Sequence, residues 1–129
     1  IPFVSYPYEW SFSQLKTAAL LTLKINLIAL ECGMILKDSS AYNVQFLGSK
    51  AIFIDIASFE IYRSDSIWMG YQQFCKHFLA PLLLSSYKDF RLTKLLLTNI
   101  DGIDLSFTRK LLPIRSFLNS GVFLHLAIN

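Results

Sequence analysis

Three polar residues stand in otherwise apolar stretches of this sequence, and their types suit metal binding. Asp38 follows a short aliphatic segment, Asn43 comes five positions later, and Asp55 ends a second aliphatic run. The amide of Asn43 and the carboxylate of Asp55 supply the hard oxygen ligands that Mg²⁺ prefers. A local interpretation is also open, in which Asp38 caps a turn, Asn43 lies in a loop and Asp55 ends a strand because of nearby hydrogen bonds.

Two short strands are predicted around a glycine-containing turn, and these strands would position the polar residues. Residues 44–46 and 51–54 are rich in branched and aromatic side chains, and the turn at 48–49 is Gly-Ser. This pattern is typical of a β-hairpin. In the register that this turn favours, Asn43 lies opposite the last residue of the second strand. We therefore expect Asn43 and Asp55 to emerge together at the open end of the hairpin.

The rest of the sequence predicts helices. A long helix is expected from Ser11 to about Cys32, because Ser11 and Gln14 have capping-box spacing and Gly33 suits a left-handed C-terminal position. Its many apolar residues predict burial on most sides. Further helices are expected at about 67–84 with a break near Pro81, at 88–99 and at 105–112, after an extended aromatic segment over 1–10 that docks on a neighbouring surface. The predicted fold class is α+β, mainly α, with one short hairpin in a single domain over residues 1–129.

The order of these features resembles the catalytic lobe of protein-kinase-like enzymes, most closely the aminoglycoside-kinase-like branch. The shared order is a long helix, an aliphatic segment, the pattern D-x-x-x-x-N, a hairpin, and an aliphatic strand that ends in Asp. In such sites one Asp orients the acceptor hydroxyl, while an Asn and a second Asp hold Mg²⁺ against the nucleotide phosphates. The resemblance implies that Asp38 is catalytic, that Asn43 and Asp55 bind Mg²⁺ and ATP, and that the acceptor is a small molecule.

The sequence departs from the kinase-like pattern at several positions. Leu-Lys stands at 36–37, where His-Arg or His-Gly usually precedes the Asp, and Asp55 is followed by Ile-Ala rather than by Phe-Gly. A glycine-rich phosphate loop is absent from the sequence, because its five glycines stand singly. These departures favour an alternative, a catalytically inactive kinase-like module that binds a partner or substrate. A third alternative, a purely structural helical domain, predicts that Asn43 and Asp55 lie far apart.

Several stretches of the chain carry a second resemblance, which covers nearly its whole length. They are residues 6–15 (YPYEWSFSQL), 36–43 (LKDSSAYN), 53–55 (FID), 58–60 (SFE) and 73–82 (QFCKHFLAPL). These stretches are similar to the N-terminal region of bacterial SAM-dependent methyltransferases, including nodulation-type proteins. The resemblance implies that SAM binds in a domain outside this chain, since the acidic-Gly-x-Gly turn of such domains is missing here. It implies as partners a missing N-lobe and a downstream domain of the same protein.

The composition excludes several other classes of protein. Apolar residues make up 53% of the chain, and charged residues make up only 16%. The mean hydropathy of +0.44 is high for a small domain that stays soluble alone. We therefore expect a piece of a larger protein. A net charge of +3 is too small and dispersed to predict nucleic-acid binding, and every apolar stretch is interrupted before it could span a membrane.

Cys32 and Cys75 lack paired spacing, which predicts reduced core thiols in a cytoplasmic protein. The pair Cys75-x-His77 favours core packing over a metal site.

Overall fold

The computed structural model describes residues 3–65 and 67–127, so the first two residues of the predicted N-terminal segment lie outside the described residues. The α-helices are α1 (Phe12–Glu31), α2 (Gly70–Phe74), α3 (Ala80–Tyr87), α4 (Leu95–Thr98), α5 (Leu105–Leu111) and α6 (Ser120–Val122). The strands are β1 (Met34–Leu36), β2 (Val44–Leu47), β3 (Lys50–Phe53) and β4 (Phe59–Ile61). Short 3-10 turns lie at Pro7–Glu9, Ala41–Asn43, Ile56–Ser58, Phe90–Lys94 and Ile114–Leu118, and π turns at Cys75–Leu79 and Phe123–Ala127. The predicted α+β, mainly α class is confirmed.

The long first helix begins and ends as its sequence predicts. Ser11 Oγ accepts a hydrogen bond from the Gln14 amide at 3.2 Å, and the Gln14 side chain accepts one from the Ser11 amide at 2.9 Å. Gly33 follows the helix with a φ of +73°. The expected burial on most sides is wrong, because Leu20 and Leu27 are 58% and 63% exposed. One face of α1 packs on the rest of the chain, through one leucine, three alanines and two polar residues: Leu15, Ala18, Ala19, Thr22, Asn26 and Ala29.

The predicted hairpin is confirmed in its turn and its register. Strands β2 and β3 pair antiparallel with Leu47 opposite Lys50, so that residues 48 and 49 form the turn. Gly48 has a φ of +61°, a conformation that glycine adopts without the steric cost of a side chain. Beyond the strands, the Ile54 amide donates to the Asn43 carbonyl at 2.8 Å. This bond extends the ladder to the open end of the hairpin.

A second pair of strands was missing from the sequence prediction. Strands β1 and β4 pair antiparallel, with Met34 opposite Ile61 and Leu36 opposite Phe59. Each strand has three residues, which is too short for an alternating pattern to stand out from a loop. The pairing brings the segment that contains Asp38 alongside the segment that follows Asp55.

Near Pro81, where the sequence predicts a helix break, the structure has a π turn between α2 and α3, and the helical backbone continues from residue 70 to 87. Proline lacks the amide that would bond the carbonyl four residues earlier, and its ring crowds that carbonyl. The wider turn over Cys75–Leu79 absorbs this change, with the Ala80 amide bonded to the Cys75 carbonyl. The Lys76 carbonyl accepts instead from the Ile103 amide at 2.9 Å, which ties the helix to the loop before α5.

The helical run over residues 70–87 contributes to two hydrophobic cores. One contains Leu84, Leu96, Ile103, Leu112 and Leu126, and the other contains Trp10, Leu15, Val44 and Phe78. Trp10 is only 4% exposed and its ring meets the edge of Phe46 at a centroid distance of 5.2 Å. The N-terminal segment, described from residue 3, therefore docks on this chain's own hairpin.

The helix expected over 88–99 is a 3-10 turn followed by α4, while α5 ends before Pro113 as predicted.

Candidate functional site

Asn43 and Asp55 both bond one buried hydroxyl, that of Ser58, and Asn43 also bonds the backbone of Asp38. The Asn43 side-chain amide donates to Ser58 Oγ at 3.0 Å and to the Asp38 carbonyl at 3.2 Å. Ser58 Oγ in turn donates to Asp55 Oδ2 at 2.6 Å. Asn43 and Asp55 are thus two hydrogen bonds apart, well inside the separation of about 8 Å beyond which they could not share one ion. The expectation that these residues lie far apart is wrong.

The backbone around Asp38 is held from the α1 side and from the turn after Asp55. Asn26, buried in α1, accepts a hydrogen bond from the Leu36 amide at 2.9 Å. The Ser58 carbonyl accepts from the Lys37 amide at 2.8 Å and from the Asp38 amide at 3.4 Å. Asp38 therefore stands at the end of β1 on a backbone whose amides are already bonded.

The start of α2 holds the same segment from a third side. Gln73 accepts from the Ser39 amide at 2.8 Å, and the Ser39 hydroxyl donates to the Gly70 carbonyl. Trp68 donates from its indole nitrogen to the Leu36 carbonyl at 2.6 Å. A Cβ on Gly70 would lie 2.8 Å from this indole nitrogen and 3.0 Å from the Leu36 carbonyl. Glycine is needed here for a close approach of two backbones.

The Asp55 carboxylate is held by hydrogen bonds within its own turn. The Ser58 hydroxyl and the Ala57 amide bond its two oxygens and lower the pKa of Asp55, and Lys37 contributes in the same direction. Such bonds favour the ionised form. Asp38 accepts from the Ser40 amide through Oδ1 at 3.0 Å. Its Oδ2 makes no hydrogen bond within the described residues.

A polar pocket of about 460 Å³ opens beside Asp38 and is closed by the helix that follows Gly70. Its walls include Asp38, Tyr42, Asn43, Gln73, His77 and Asp101. Asp55 does not line this pocket, so Asn43 lies between the pocket and the Asp55 carboxylate. Burial, with Tyr8, Asp101 and Tyr6 as neighbours, raises the pKa of Tyr42. The arrangement has two faces, one that presents Asp38 to the pocket and one that presents Asp55.

The side-chain atoms that Asp38, Asn43 and Asp55 offer are oxygens, the ligand type that hard cations prefer. In residues 3–65 and 67–127, no three His, Cys, Asp or Glu side chains form a metal-binding group. His77 and Cys75 are both buried, which agrees with a core position for the Cys75-x-His77 pair. Cys75 is a buried thiol as predicted, whereas the expectation of a core thiol is wrong for Cys32, which is exposed after the last residue of α1.

Four positions that organise the site were not identified in the sequence. They are Asn26, Ser58, Gly70 and Gln73, and each acts on a segment far away in the chain or across a turn. A weak signal existed for Ser58, a polar residue three positions after Asp55. Asn26 was visible as a polar residue inside an apolar helix. Its partner, the Leu36 amide, is known only from the structure.

None of the helices in the described part of the chain combines the length and the apolar character needed to cross a membrane.

Comparison with known proteins gives one informative match. The chain is 42% identical over 125 residues to nodulation protein NoeA of Rhizobium meliloti (strain 1021). The aligned region is 97% of this chain and 26% of that relative, so the chain spans about a quarter of the relative's length. No family model matches the sequence, and no solved structure matches it. The expected similarity to a bacterial nodulation-type protein is confirmed, and the relative is named a nodulation protein rather than a methyltransferase.

Proposed function

We propose that residues 34–61 form the Mg²⁺-binding and ATP-binding part of a kinase-like site in a bacterial protein related to NoeA. The observation that carries this proposal is the hydrogen-bonded set in which Asn43 and Asp55 share the Ser58 hydroxyl while Asn43 also bonds the Asp38 backbone. Positioning and charge neutralisation are the main tasks of a protein in phosphoryl transfer. A set held by this many internal bonds suits both tasks.

The hydrogen bonds of Asn43 use its side-chain nitrogen and leave its side-chain oxygen for a metal ion. Both hydrogens of its side-chain amide are used, one by Ser58 and one by Asp38. Its Oδ1 makes no hydrogen bond in the described part of the chain, so it remains as an acceptor of fixed position. An amide oxygen of this kind is a ligand type found for Mg²⁺.

Asp55 would be the principal ligand of the ion. Its lowered pKa keeps the carboxylate ionised at neutral pH, and each oxygen retains a lone pair after bonding Ser58 and Ala57. Sites for Mg²⁺ commonly use one or two carboxylates together with substrate phosphates. When bound, Mg²⁺ supplies charge neutralisation at the phosphate oxygens of ATP.

Asp38 would receive or orient the proton of the acceptor hydroxyl. It lines the polar pocket, and its Oδ2 is unengaged in the described residues while Oδ1 is held by the Ser40 amide. A carboxylate fixed by one oxygen and open at the other is suited to a general-base or positioning role. The acceptor would be a small molecule that enters this pocket.

Other parts of the protein would complete the site. We propose that an N-lobe supplies the phosphate cradle and covers an apolar face beside the Asp55 turn, where Ile56 is 91% exposed. The groove on this face has a volume of about 390 Å³ and is lined by Ile25, Ile28, Ala29, Cys32, Met34, Ile56 and Phe59. We further propose that a downstream SAM-dependent methyltransferase domain belongs to the same cytoplasmic protein, with SAM bound there and not in this chain.

A second candidate is a catalytically inactive kinase-like module that binds a substrate or partner for the methyltransferase domain. The observation that favours it is the residue pair before Asp38. Leu36 and Lys37 stand there, and neither residue type carries the imidazole or guanidinium expected beside the catalytic position. In this candidate the same hydrogen-bonded set is a structural joint.

Calorimetric titration of the intact protein with ATP, with and without Mg²⁺, tests the proposal. We expect binding that requires Mg²⁺ and that falls at least tenfold in the Asp55→Ala variant, because the principal ligand is removed. The Asp65→Asn variant is the matched control, since Asp65 is an exposed carboxylate outside the site. Its affinity should equal that of the wild type.

The outcomes separate the two candidates. ATP binding that needs both Mg²⁺ and Asp55 supports the kinase-like enzyme and directs the search to acceptors. No binding by the folded wild-type protein overturns the nucleotide site and leaves the inactive module. A separate titration with SAM tests the attached domain, and its result does not depend on Asp55.

A further inference from the structure

A buried histidine that the proposed phosphotransfer chemistry does not use lies in the polar pocket. His77 is only 3% exposed, yet its ring lines both the pocket beside Asp38 and an adjoining one of about 320 Å³. The two pockets share Gln73, His77 and Asp101. His77 therefore stands at the junction of one continuous polar depression.

The hydrogen bonds of His77 determine which ring nitrogen carries the proton. The Ala41 amide points at Nδ1 at 3.4 Å, so Nδ1 acts as an acceptor and the neutral ring carries its hydrogen on Nε2. Burial lowers the pKa of His77 to about 4, although Asp38 and Asp101 act in the opposite direction, and the ring is neutral near pH 7. Nε2–H is thus a neutral donor.

This donor has no partner in the described part of the protein. Ser85 Oγ is the polar side-chain atom that is sealed from solvent without a hydrogen bond among the described residues. His77 Nε2 likewise has no bond but is not sealed, so it reaches the pocket. A side chain that is almost wholly buried and keeps one unpaired donor at a pocket surface indicates a ligand group that accepts from it.

The other polar walls of the pocket beside Asp38 are acceptors and neutral donors, while Lys76 lines only the adjoining pocket. Asp38 and Asp101 are acceptors, while the Gln73 side-chain amide and the Tyr42 hydroxyl can donate. Gln73 uses its oxygen on the Ser39 amide, which leaves its NH₂ group for a ligand. Hydroxyl groups satisfy both kinds of wall, since each one donates and accepts. An ammonium group can only donate, and an anion would face two carboxylates.

We propose that this pocket binds a neutral polyhydroxylated small molecule of the saccharide or polyol class, and that the Nε2–H group of His77 is its specificity-determining donor. The inference deepens the proposed function by naming the acceptor class, and it rests on that function only for the statement that the ligand is phosphorylated. The volume of about 460 Å³ lies within the range of small-molecule pockets. Binding itself requires neither ATP nor Mg²⁺.

The tautomer of His77 is tested first, because it does not depend on knowing the ligand. A long-range ¹H–¹⁵N correlation spectrum of the intact protein at pH 7 should show His77 protonated on Nε2 only. Protonation on Nδ1 would remove the donor from the pocket and overturn the inference.

Ligand binding is then measured by saturation-transfer difference NMR, without nucleotide or Mg²⁺, with glucose, galactose and myo-inositol as the probes. We expect transfer to at least one of them, with an affinity about three- to tenfold lower in His77→Phe, which removes the donor, and partly restored in His77→Gln. Asp101→Asn gives a second variant at an exposed wall position and should also weaken binding. Asp65→Asn should bind as the wild type does.

Three results contradict this inference. They are no transfer to any of the three probes, equal affinities for wild type and a folded His77→Phe, or tighter binding of glucosamine or glucose 6-phosphate than of glucose. Loss of ATP binding in Asp55→Ala with sugar binding retained is the expected independent behaviour. If the wild-type protein binds sugar but never ATP, the phosphotransfer proposal fails while the pocket assignment stands.

Discussion

Ser58 is the residue on which the local geometry of the site depends most. Its hydroxyl accepts from Asn43 and donates to Asp55, and its carbonyl accepts from the amides of Lys37 and Asp38. A single buried residue thus joins the two proposed metal ligands to the backbone of the proposed catalytic residue. A change of the Ser58 side chain removes the hydroxyl bonds to Asn43 and Asp55. It leaves the bonds between the Ser58 carbonyl and the amides of Lys37 and Asp38 in place.

Substitution Ser58→Ala is expected to raise the pKa of Asp55. The Ser58 hydroxyl is the largest cause of the lowered pKa, and without it the ionised carboxylate loses a hydrogen bond. A ¹³C NMR titration of the Asp55 carboxyl carbon measures the change. Ser49→Ala, in the exposed hairpin turn, should leave this pKa as it is. An unchanged Asp55 pKa in Ser58→Ala would mean that the bond is not formed in solution.

At the scale of elements, the site depends on three pieces of chain that meet around residues 36–40. Helix α1 contributes Asn26, the turn at Ile56–Ser58 contributes a carbonyl, and the start of α2 contributes Gln73 and the close approach at Gly70. Each element supplies hydrogen bonds or close contacts to the backbone of residues 36–40, and none supplies a catalytic group. The position of Asp38 is therefore fixed by contacts between elements.

Gly70→Ala tests the close approach of α2 to the Leu36 segment, because the sign of its effect on the free energy of unfolding depends on that contact. At an unobstructed position with ordinary φ, replacing glycine by alanine stabilises a protein by about 0.4–1 kcal/mol. Here the added Cβ meets Trp68 and the Leu36 carbonyl, so we expect a loss of about 1–3 kcal/mol in the free energy of unfolding. Urea denaturation of the two proteins measures it.

Gly121→Ala is the matched control, because a Cβ there has one side-chain neighbour, at 3.2 Å. Its effect should be within about 0.5 kcal/mol of zero. A stabilised Gly70→Ala protein would mean that α2 and the Leu36 segment are not in contact as described.

At the scale of the whole molecule, one buried group dominates the dependence of stability on pH between neutrality and pH 5. Burial lowers the pKa of His77 from its ordinary value of 6.5 to about 4, against the influence of Asp38 and Asp101 and together with that of Lys76. Between these two values the unfolded chain binds more protons than the folded one. The free energy of unfolding therefore falls as pH decreases through this window.

We expect the wild-type protein to lose about 2 kcal/mol of stability between pH 7 and pH 5 from this group. Urea denaturation at the two pH values gives the difference, and His77→Gln should remove most of it. Asp55, Asp89 and Asp104 have lowered pKa values and lose their contribution only at lower pH. An equal pH dependence in wild type and variant would show that His77 is not buried in solution.

The sequence by itself determined the features that depend on neighbouring residues. The capping box of Ser11 and Gln14 and the turn at Gly48 follow from side-chain chemistry within a few positions. The hairpin register follows from that turn, and it brings Asn43 to the end of the hairpin where Asp55 begins. For the same reason Asn43 and Asp55 could be selected from their spacing, while their roles as metal ligands come from the kinase-like resemblance and stay a prediction.

Only the tertiary structure decided which distant segments support these residues. The pairing of β1 with β4, the partners of Asn26 and Gln73, and the single packed face of α1 all involve residues far apart in sequence. Periodicity reports how apolar a segment is, but it does not report which surface covers it. Asn26, for example, has the same local sequence whether its amide faces solvent or the Leu36 backbone. The choice is made by long-range packing, because a buried polar group must find its hydrogen bond wherever the fold provides one.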